Sequence, residues 1–360
     1  MIAFLDGNTI WRRKFAEALR RSNADTQLFA PGVVNAAVGE HRDVHIAMPR
    51  GWAGILRAFT MPLLLRRLSH HIGRAPDMIV VTTPHYLPLA IRAVPRSKIV
   101  YYCSDDYRSY TGWHAAQMAR EERALCRLAT VAIFVSEALR QRAVSEYGLD
   151  PTATIVSPNA TEPRFAEMQQ IPDDIARLPG PVFGVAGVIN QRIDLEFLTA
   201  IAADRRVGSL ALVGPVDSAL EGDRMLQRLS ADPKVHFLGA KPHADMPQWM
   251  AAFDVAVIPY AATPFNHFCS PMRLYDHLAI GQPIIATPHC DQIAARGDVL
   301  TGNATELSGL IEAALAAYSA GRTPRVETWD ERIDALQKVW LPPSPFPNRS
   351  VDTQARPTLA

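Results

Sequence analysis

Arg273 and Asp276 stand one helical turn apart in Cys269-Ser270-Pro271-Met272-Arg273-Leu274-Tyr275-Asp276-His277-Leu278-Ala279-Ile280-Gly281-Gln282-Pro283. The spacing puts a guanidinium and a carboxylate on one helix face. The ends of that helix are written in. Ser270 is suited to cap it, Pro271 to open it, and Gly281 followed by Pro283 to close it. Strand-like Phe253–Tyr260 precedes the segment and Ile284–Ala286 follows it. A helix start beside a strand end is where α/β folds hold anions. A cation for phosphate and a carboxylate for a sugar diol, side by side, fit a nucleotide-sugar pocket.

Other candidates lie at similar junctions. Arg192 follows Gly187 in a strand–loop–helix turn, with Asp194 as its competing ion-pair partner. Lys241 and His243 occupy the loop after Gly239, and His267 the loop before Ser270. Asp105 and Asp106 end an apolar strand, where two adjacent carboxylates could raise one pKa into the range of a general base. The alternative for them is capping a turn. His85 ends the preceding strand in Thr82-Thr83-Pro84-His85-Tyr86.

These residues need a scaffold, and the chain reads as two parallel sheets. Strand patterns at Ile2–Leu5, Gln27–Phe29, Val44–Met48, Met78–Val81, Ser97–Cys103, Thr130–Val135 and Thr154–Val156 alternate with helical ones at Trp11–Arg21, His114–Ala129 and Glu137–Tyr147. The alternation pauses over 158–181, a Pro-punctuated polar segment. It restarts with strands Val182–Val188, Leu210–Val213 and Val235–Leu238 and helices Ile193–Ala203, Ala219–Ala231 and Met246–Ala252. Strands joined by helices of this length give doubly wound α/β domains. The expected division is an acceptor-binding domain over 1–160, a linker over 161–181 and a nucleotide-sugar-binding domain over 182–325. A helix over 326–341 would pack back on the first domain, and 342–360 would be a disordered tail.

Composition narrows the classes. The 360 residues carry a net charge of +1 and are 48% hydrophobic. The front half is basic and the rear half acidic, which favours an anionic surface or acceptor at the front. Asp6 interrupts the apolar start, so no leader peptide is expected. The four cysteines lack C-x-x-C spacing and read as reduced thiols of a cytoplasmic protein. Near-neutral charge without a basic–aromatic stripe disfavours nucleic acid. The absence of G-x-G-x-x-G at Leu5-Asp6-Gly7-Asn8 or Gly184-Val185-Ala186-Gly187 disfavours a nicotinamide enzyme. Arg50–Arg74 has five Arg and no acid, and with Trp52, Phe59 and Leu63–Leu65 it could lie on an anionic bilayer. Its alternative is a core-facing helix broken at Pro62.

Four stretches resemble a known family. The segment from Ser270 to Pro283 resembles (N/S)-P-x-K-L-(Y/F)-E-Y-L-A-x-G-x-P. Val235-His236-Phe237-Leu238-Gly239, Met246-Pro247 and Phe253–Pro259 resemble V-x-F-x-G…L-P…x-D-V-x-x-x-P. Gly187–Asp194 resembles G-x-I-x-x-R-x-D, and Val100–Tyr107 a segment of the first domain. The family is the GT-B-fold glycosyltransferases of the bacterial surface-polysaccharide type (group 1, family 4-like). Its usual Glu is Asp276 here, its Lys is Arg273, and its P-N-G is Pro158-Asn159-Ala160.

The resemblance implies metal-independent sugar transfer from a nucleoside diphosphate sugar to a hydroxyl of a glycan or lipid-linked glycan. The donor site would comprise Gly187, Arg192, Lys241, His267, Ser270, Pro271, Met272, Arg273, Leu274 and Asp276. Asp105 and Asp106 would be catalytic, and His85 would touch the acceptor. No cofactor is expected beyond the sugar nucleotide. The C-terminal pattern leans to retaining relatives, whereas an Asp105 or Asp106 base would invert. A sugar-nucleotide epimerase and a non-catalytic nucleotide-sugar scaffold are the alternatives.

Overall fold

The computed structural model describes residues 1–6, 9–32, 43–52, 56–72, 76–93 and 97–339. The expected tail over 342–360, the end of the last helix at Trp340 and Leu341, and loop residues Gly7 and Asn8 lie outside them, as does part of the Arg50–Arg74 stretch.

The chain forms two α/β units, each built on a parallel sheet. The first contains β1 (Ile2–Leu5), β2 (Thr26–Gly32), β3 (Val44–Ala47), β4 (Met78–Val81), β5 (Lys98–Cys103), β6 (Val131–Phe134) and β7 (Thr154–Val156). Their order is β3-β2-β1-β4-β5-β6-β7. The second contains β8 (Val182–Ala186), β9 (Ser209–Val213), β10 (Val235–Gly239), β11 (Val255–Ile258), β12 (Ile284–Ala286) and β13 (Leu300–Thr301), in the order β10-β9-β8-β11-β12-β13. The central strands β1, β4, β8 and β11 are buried at every position. Such two-faced burial is why they read as unbroken apolar runs rather than alternating ones. In each sheet the order reverses at one place, between β1 and β4 and between β8 and β11. Ligands bind at such switch points, beyond the carboxyl ends of the strands.

Several boundaries move for physical reasons. Helix Leu195–Ala203 starts two residues late because Asp194 caps it, accepting from the Phe197 N–H at 2.9 Å. Asp223 does the same for Arg224–Ala231, so the single helix expected from Ala219 is split. The helix Arg57–Ile72 runs through Pro62. Proline removes one helical hydrogen bond there, but Met61, Leu64 and Leu68 are buried in the first core and hold the helix across it.

The segment between the domains is packed rather than free. Phe165 and Ile175 are buried with Trp249, Met250 and Ile280 in an apolar cluster of the second domain. The chain then crosses back. Helix Trp329–Gln337 carries a Thr328/Glu331 capping box. It places Trp329, Ile333 and Leu336 in the core of the first domain. Each fully buried side chain of this kind contributes about 1.5–3 kcal/mol. The two crossings run side by side, joined by a bridge between Thr161 and Thr328 and by the Thr161 N–H donating to the Glu327 carbonyl at 3.0 Å.

Candidate active site

The two switch points face each other across a cleft of about 450 Å³. Its walls come from both domains. The first supplies Trp11, Ser104, Asp105 and Asn159; the second supplies Gly187, Arg192, Lys241, Tyr260, Phe265 and the segment Cys269–Arg273, with Asp276.

Arg273 opens the helix Met272–Ile280. Its guanidinium leans over the Tyr260 ring, 5.5 Å from the centroid, and against Gly187. Gly187 has φ +114°, and a Cβ there would lie 2.4 Å from Arg273 Nη2. Only glycine combines that backbone with that proximity. Arg273 Nη1 is buried with no hydrogen-bond partner. A buried unpaired donor is costly, so this cleft-lining guanidinium carries a spare donor.

Ser270 does not cap this helix. The N-cap is Pro271. The Ser270 hydroxyl instead accepts the Asn159 N–H at 2.9 Å, while Asn159 Nδ2 donates to the Ser270 carbonyl at 2.6 Å. The donor segment is thereby tied to the first domain. Asn159 lines the same cleft, and its Oδ1 is buried without a hydrogen-bond partner. Gly281 closes the helix at φ +80° as expected, and a Cβ there would also meet the Pro324 nitrogen at 2.5 Å.

Asp276 and Arg273 share the face but not each other. Asp276 is buried and accepts the Thr161 hydroxyl at 2.6 Å. Burial raises its pKa to about 7, against the pull of the Thr161 hydrogen bond and Arg273; Glu162 adds to the rise. A carboxyl that titrates near neutrality on the cleft wall can accept hydrogen bonds when ionised and donate one when protonated.

The adjacent carboxylates Asp105 and Asp106 diverge. Asp105 lines the cleft and accepts the Tyr110 hydroxyl at 2.7 Å. Burial lifts its pKa to about 6, and Tyr110, Arg12 and Arg192 hold it from going higher. Asp106 points away. It caps a turn, pairs with Arg142 at 2.6 Å and accepts from Ser109. Burial alone would raise it, but Arg142, Ser109 and Arg108 together carry it below the usual carboxylate range. Behind Asp105, the buried Arg12 donates to Ser104 Oγ at 3.0 Å, to Asp6 at 2.9 Å and to the Tyr107 hydroxyl at 3.1 Å.

The remaining candidates separate into three groups. Arg192 lines the cleft, exposed, with its guanidinium 4.3 Å over the Phe265 ring; Asp194 is spent on its helix cap. Lys241 also lines it, with Nζ 4.0 Å over the Trp249 ring, and His243 lies 3.3 Å from Glu162. Met272 and Pro271 line it too. Leu274 does not: it is buried in the second core. His267 is exposed and stacks edge-on against Phe268, outside the lining. His85 packs edge-on against Trp113 at 4.2 Å, with burial and nearby Arg57 lowering its pKa.

Trp11, Asn159, Tyr260 and Phe265 are cleft residues that sequence reasoning did not single out. Asn159 stood inside a recognised motif, and its position at the end of β7 was the available signal.

Two family models match, Glycosyltransferase Family 4 over residues 13–165 and Glycosyl transferases group 1 over residues 180–319. The chain belongs to the group 1 glycosyltransferases. A Bacillus subtilis (strain 168) protein named as a teichuronic acid biosynthesis glycosyltransferase, TuaH, is 29% identical over 125 residues, which is 34% of this chain and 31% of that relative. The matched stretch thus spans about a third of its length. Among solved structures, HepE from Anabaena, in complex with UDP and glucose, superposes with a TM-score of 0.70 at 18% identity, over 94% of this chain and 99% of that one. Sucrose-phosphate synthase from Thermosynechococcus elongatus gives 0.67 at 19% identity, over 93% and 94%. The lipopolysaccharide outer core galactosyltransferase WaaB gives 0.62 at 12% identity, over 94% and 95%. The fold of this group 1 glycosyltransferase is therefore GT-B: two Rossmann-like domains facing a central cleft.

Proposed function

We propose that the chain transfers a sugar from a nucleoside diphosphate sugar to a hydroxyl of a glycan or lipid-linked glycan. The observation that carries this is Arg273. Its guanidinium is set by Gly187 and Tyr260 into the cleft wall and has a buried donor without a protein partner. Arg192, from the same domain, lines the same cleft. Two guanidiniums lining one cleft would neutralise charge developing on a leaving diphosphate, which supports metal-independent transfer. Asp276 would meet the ribose. UDP is the preferred nucleotide, because HepE was crystallised with UDP and glucose.

In this reading Asp105 takes the acceptor proton. It stands on the first domain's side of the cleft, and its pKa of about 6 leaves it mostly ionised at neutral pH. Surface-polysaccharide synthesis is the proposed setting, supported by the TuaH likeness. The cytoplasmic face of a membrane would be the place of work if the acceptor is lipid-linked. Phe59 is 83% exposed on the helix Arg57–Ile72 and Arg66 lies outward beside it. Arg57 of the same helix is spent on Glu121.

The test is release of UDP from a panel of UDP-sugars, with and without oligosaccharide acceptors. Acceptor-dependent release supports the transferase. Sugar interconversion without acceptor would make the protein an epimerase, and no turnover of any sugar nucleotide would make it a scaffold.

A further inference from the structure

The geometry points to a redox modification site in the wall of the cleft: Cys269 and Cys290 form a dithiol that a peroxide converts to a disulfide, displacing the donor segment. The consequence for the donor rests on the function proposed above; the dithiol itself does not.

The two sulfurs are 3.9 Å apart and buried. A disulfide requires about 2.05 Å, so the sulfurs must approach by somewhat under 2 Å. Cys269 is 7% exposed and lines the cleft next to Ser270, which makes the cleft the side from which a molecule as small as hydrogen peroxide would approach its sulfur. Cys290 lies behind it, fully buried, at the start of the turn Asp291–Ala294. Either sulfur can donate its S–H to the other, and the backbone N–H groups of Ile293 and Gln292 beside Cys290 favour negative charge on the pair. Exchange of a proton across the contact gives either sulfur access to the thiolate form, which is the nucleophile.

The chemistry balances with peroxide as oxidant. The Cys269 sulfur attacks one peroxide oxygen; the O–O bond breaks and the second oxygen leaves as water with one thiol proton. The Cys290 sulfur then attacks the sulfenic sulfur of Cys269. The S–O bond breaks, that oxygen leaves as water with the other thiol proton, and the S–S bond forms. The two sulfurs supply the two electrons that reduce the peroxide.

Both cysteines sit on segments that hold the first domain. Phe268, just before Cys269, accepts the Ser136 hydroxyl at 2.7 Å through its carbonyl. Ser270, just after it, holds Asn159. Gln292, two residues after Cys290, donates to the Val135 carbonyl at 3.1 Å. Drawing the two sulfurs together therefore moves segments tied to Val135, Ser136 and Asn159, and with them Arg273, four residues beyond Cys269. The protein interior is too densely packed to absorb such a shift locally.

The experiment treats the reduced full chain with hydrogen peroxide, blocks free thiols with N-ethylmaleimide, maps the peptides and titrates UDP. The expected result is a peptide linked through Cys269 and Cys290 and at least tenfold weaker UDP binding, both reversed by dithiothreitol. Cys290→Ser, at a position off the cleft lining, should yield no linked peptide and lose no more than about twofold in UDP affinity under the same treatment. Both thiols alkylated after peroxide, a bridge between Cys103 and Cys126 instead, or a Cys269–Cys290 bridge with unchanged UDP affinity would each overturn the proposal. If the reduced protein binds no UDP, the donor reading fails, and the peptide map decides the dithiol site by itself without any variant.

Discussion

The guanidinium of Arg273 occupies the space that a side chain on Gly187 would need: a Cβ there would lie 2.4 Å from Nη2. The end of β8 and the start of the helix Met272–Ile280 are thus fitted to each other at one point. Gly187→Ala should force Arg273 aside. A non-glycine residue at φ +114° costs roughly 1–3 kcal/mol, and the long Arg side chain can yield, so the fold should survive with a loss of thermal stability of that order. UDP affinity should fall by tenfold or more, about 1.4 kcal/mol or above. Calorimetric titration beside thermal unfolding separates the two; equal affinity in the variant would mean that the Gly187–Arg273 contact does not shape the donor site.

Asp105 and Asp106 should behave oppositely when each is changed to Asn. Asp105→Asn should leave UDP binding intact and lower transfer about 10²–10⁴-fold, the usual worth of a general base. In the native protein kcat/KM should rise with pH through about 6 and level off above, because the base acts ionised and its pKa lies there. A pH-independent rate between 5 and 8 would remove Asp105 from that role. Asp106→Asn breaks a buried pair with Arg142, which retains Glu122 at 3.3 Å. It should cost about 3 kcal/mol of stability, with UDP affinity unchanged in the folded protein.

Asp276 links pH to stability with a definite sign. Its folded pKa, about 7, lies above the ordinary carboxylate value of 3.8. The folded state therefore holds the proton more tightly than the unfolded state, and stability falls as pH rises from about 4 to 7. Asp276→Asn removes that penalty. The variant should gain on the native chain at pH 8, by up to about 4 kcal/mol, and show little gain near pH 4. Denaturant unfolding at the two pH values measures this. A gain as large at pH 4 as at pH 8 would show that Asp276 does not titrate in this range.

Phe59 tests the membrane contact. Sedimentation with vesicles of three parts phosphatidylcholine to one part phosphatidylglycerol should carry the protein down at low salt. Phe59→Ser together with Arg66→Glu should release it, since each basic residue near such a surface is worth about 1 kcal/mol. Equal sedimentation of both proteins would place the contact elsewhere or nowhere.

The fold was legible where local chemistry decides it. The β8 and β11 strands read as buried because both faces of a parallel strand are covered, and Gly281 and Pro283 marked a helix end that the backbone requires. The site was legible where a residue's neighbours are close in sequence, as for Arg273 behind Pro271. It was not legible where partners come from the other domain. Ser270 carries a good capping side chain, yet its hydroxyl serves Asn159, 111 residues away. Asp105 and Asp106 are equivalent in the sequence; only the packing of Tyr110 against one and Arg142 against the other distinguishes them. The core-facing helix is not broken at Pro62, because burial of Met61, Leu64 and Leu68 outweighs a single lost hydrogen bond.

In the proposed function, Arg273 binds the diphosphate of a sugar nucleotide. The direct measurement is calorimetric titration of UDP and the other nucleoside diphosphates into the native protein and Arg273→Ala. Micromolar binding of one diphosphate is expected, weakened at least tenfold by the substitution while the thermal transition stays cooperative. Absence of binding to every diphosphate at millimolar concentration, or equal affinity in the two proteins, would contradict it.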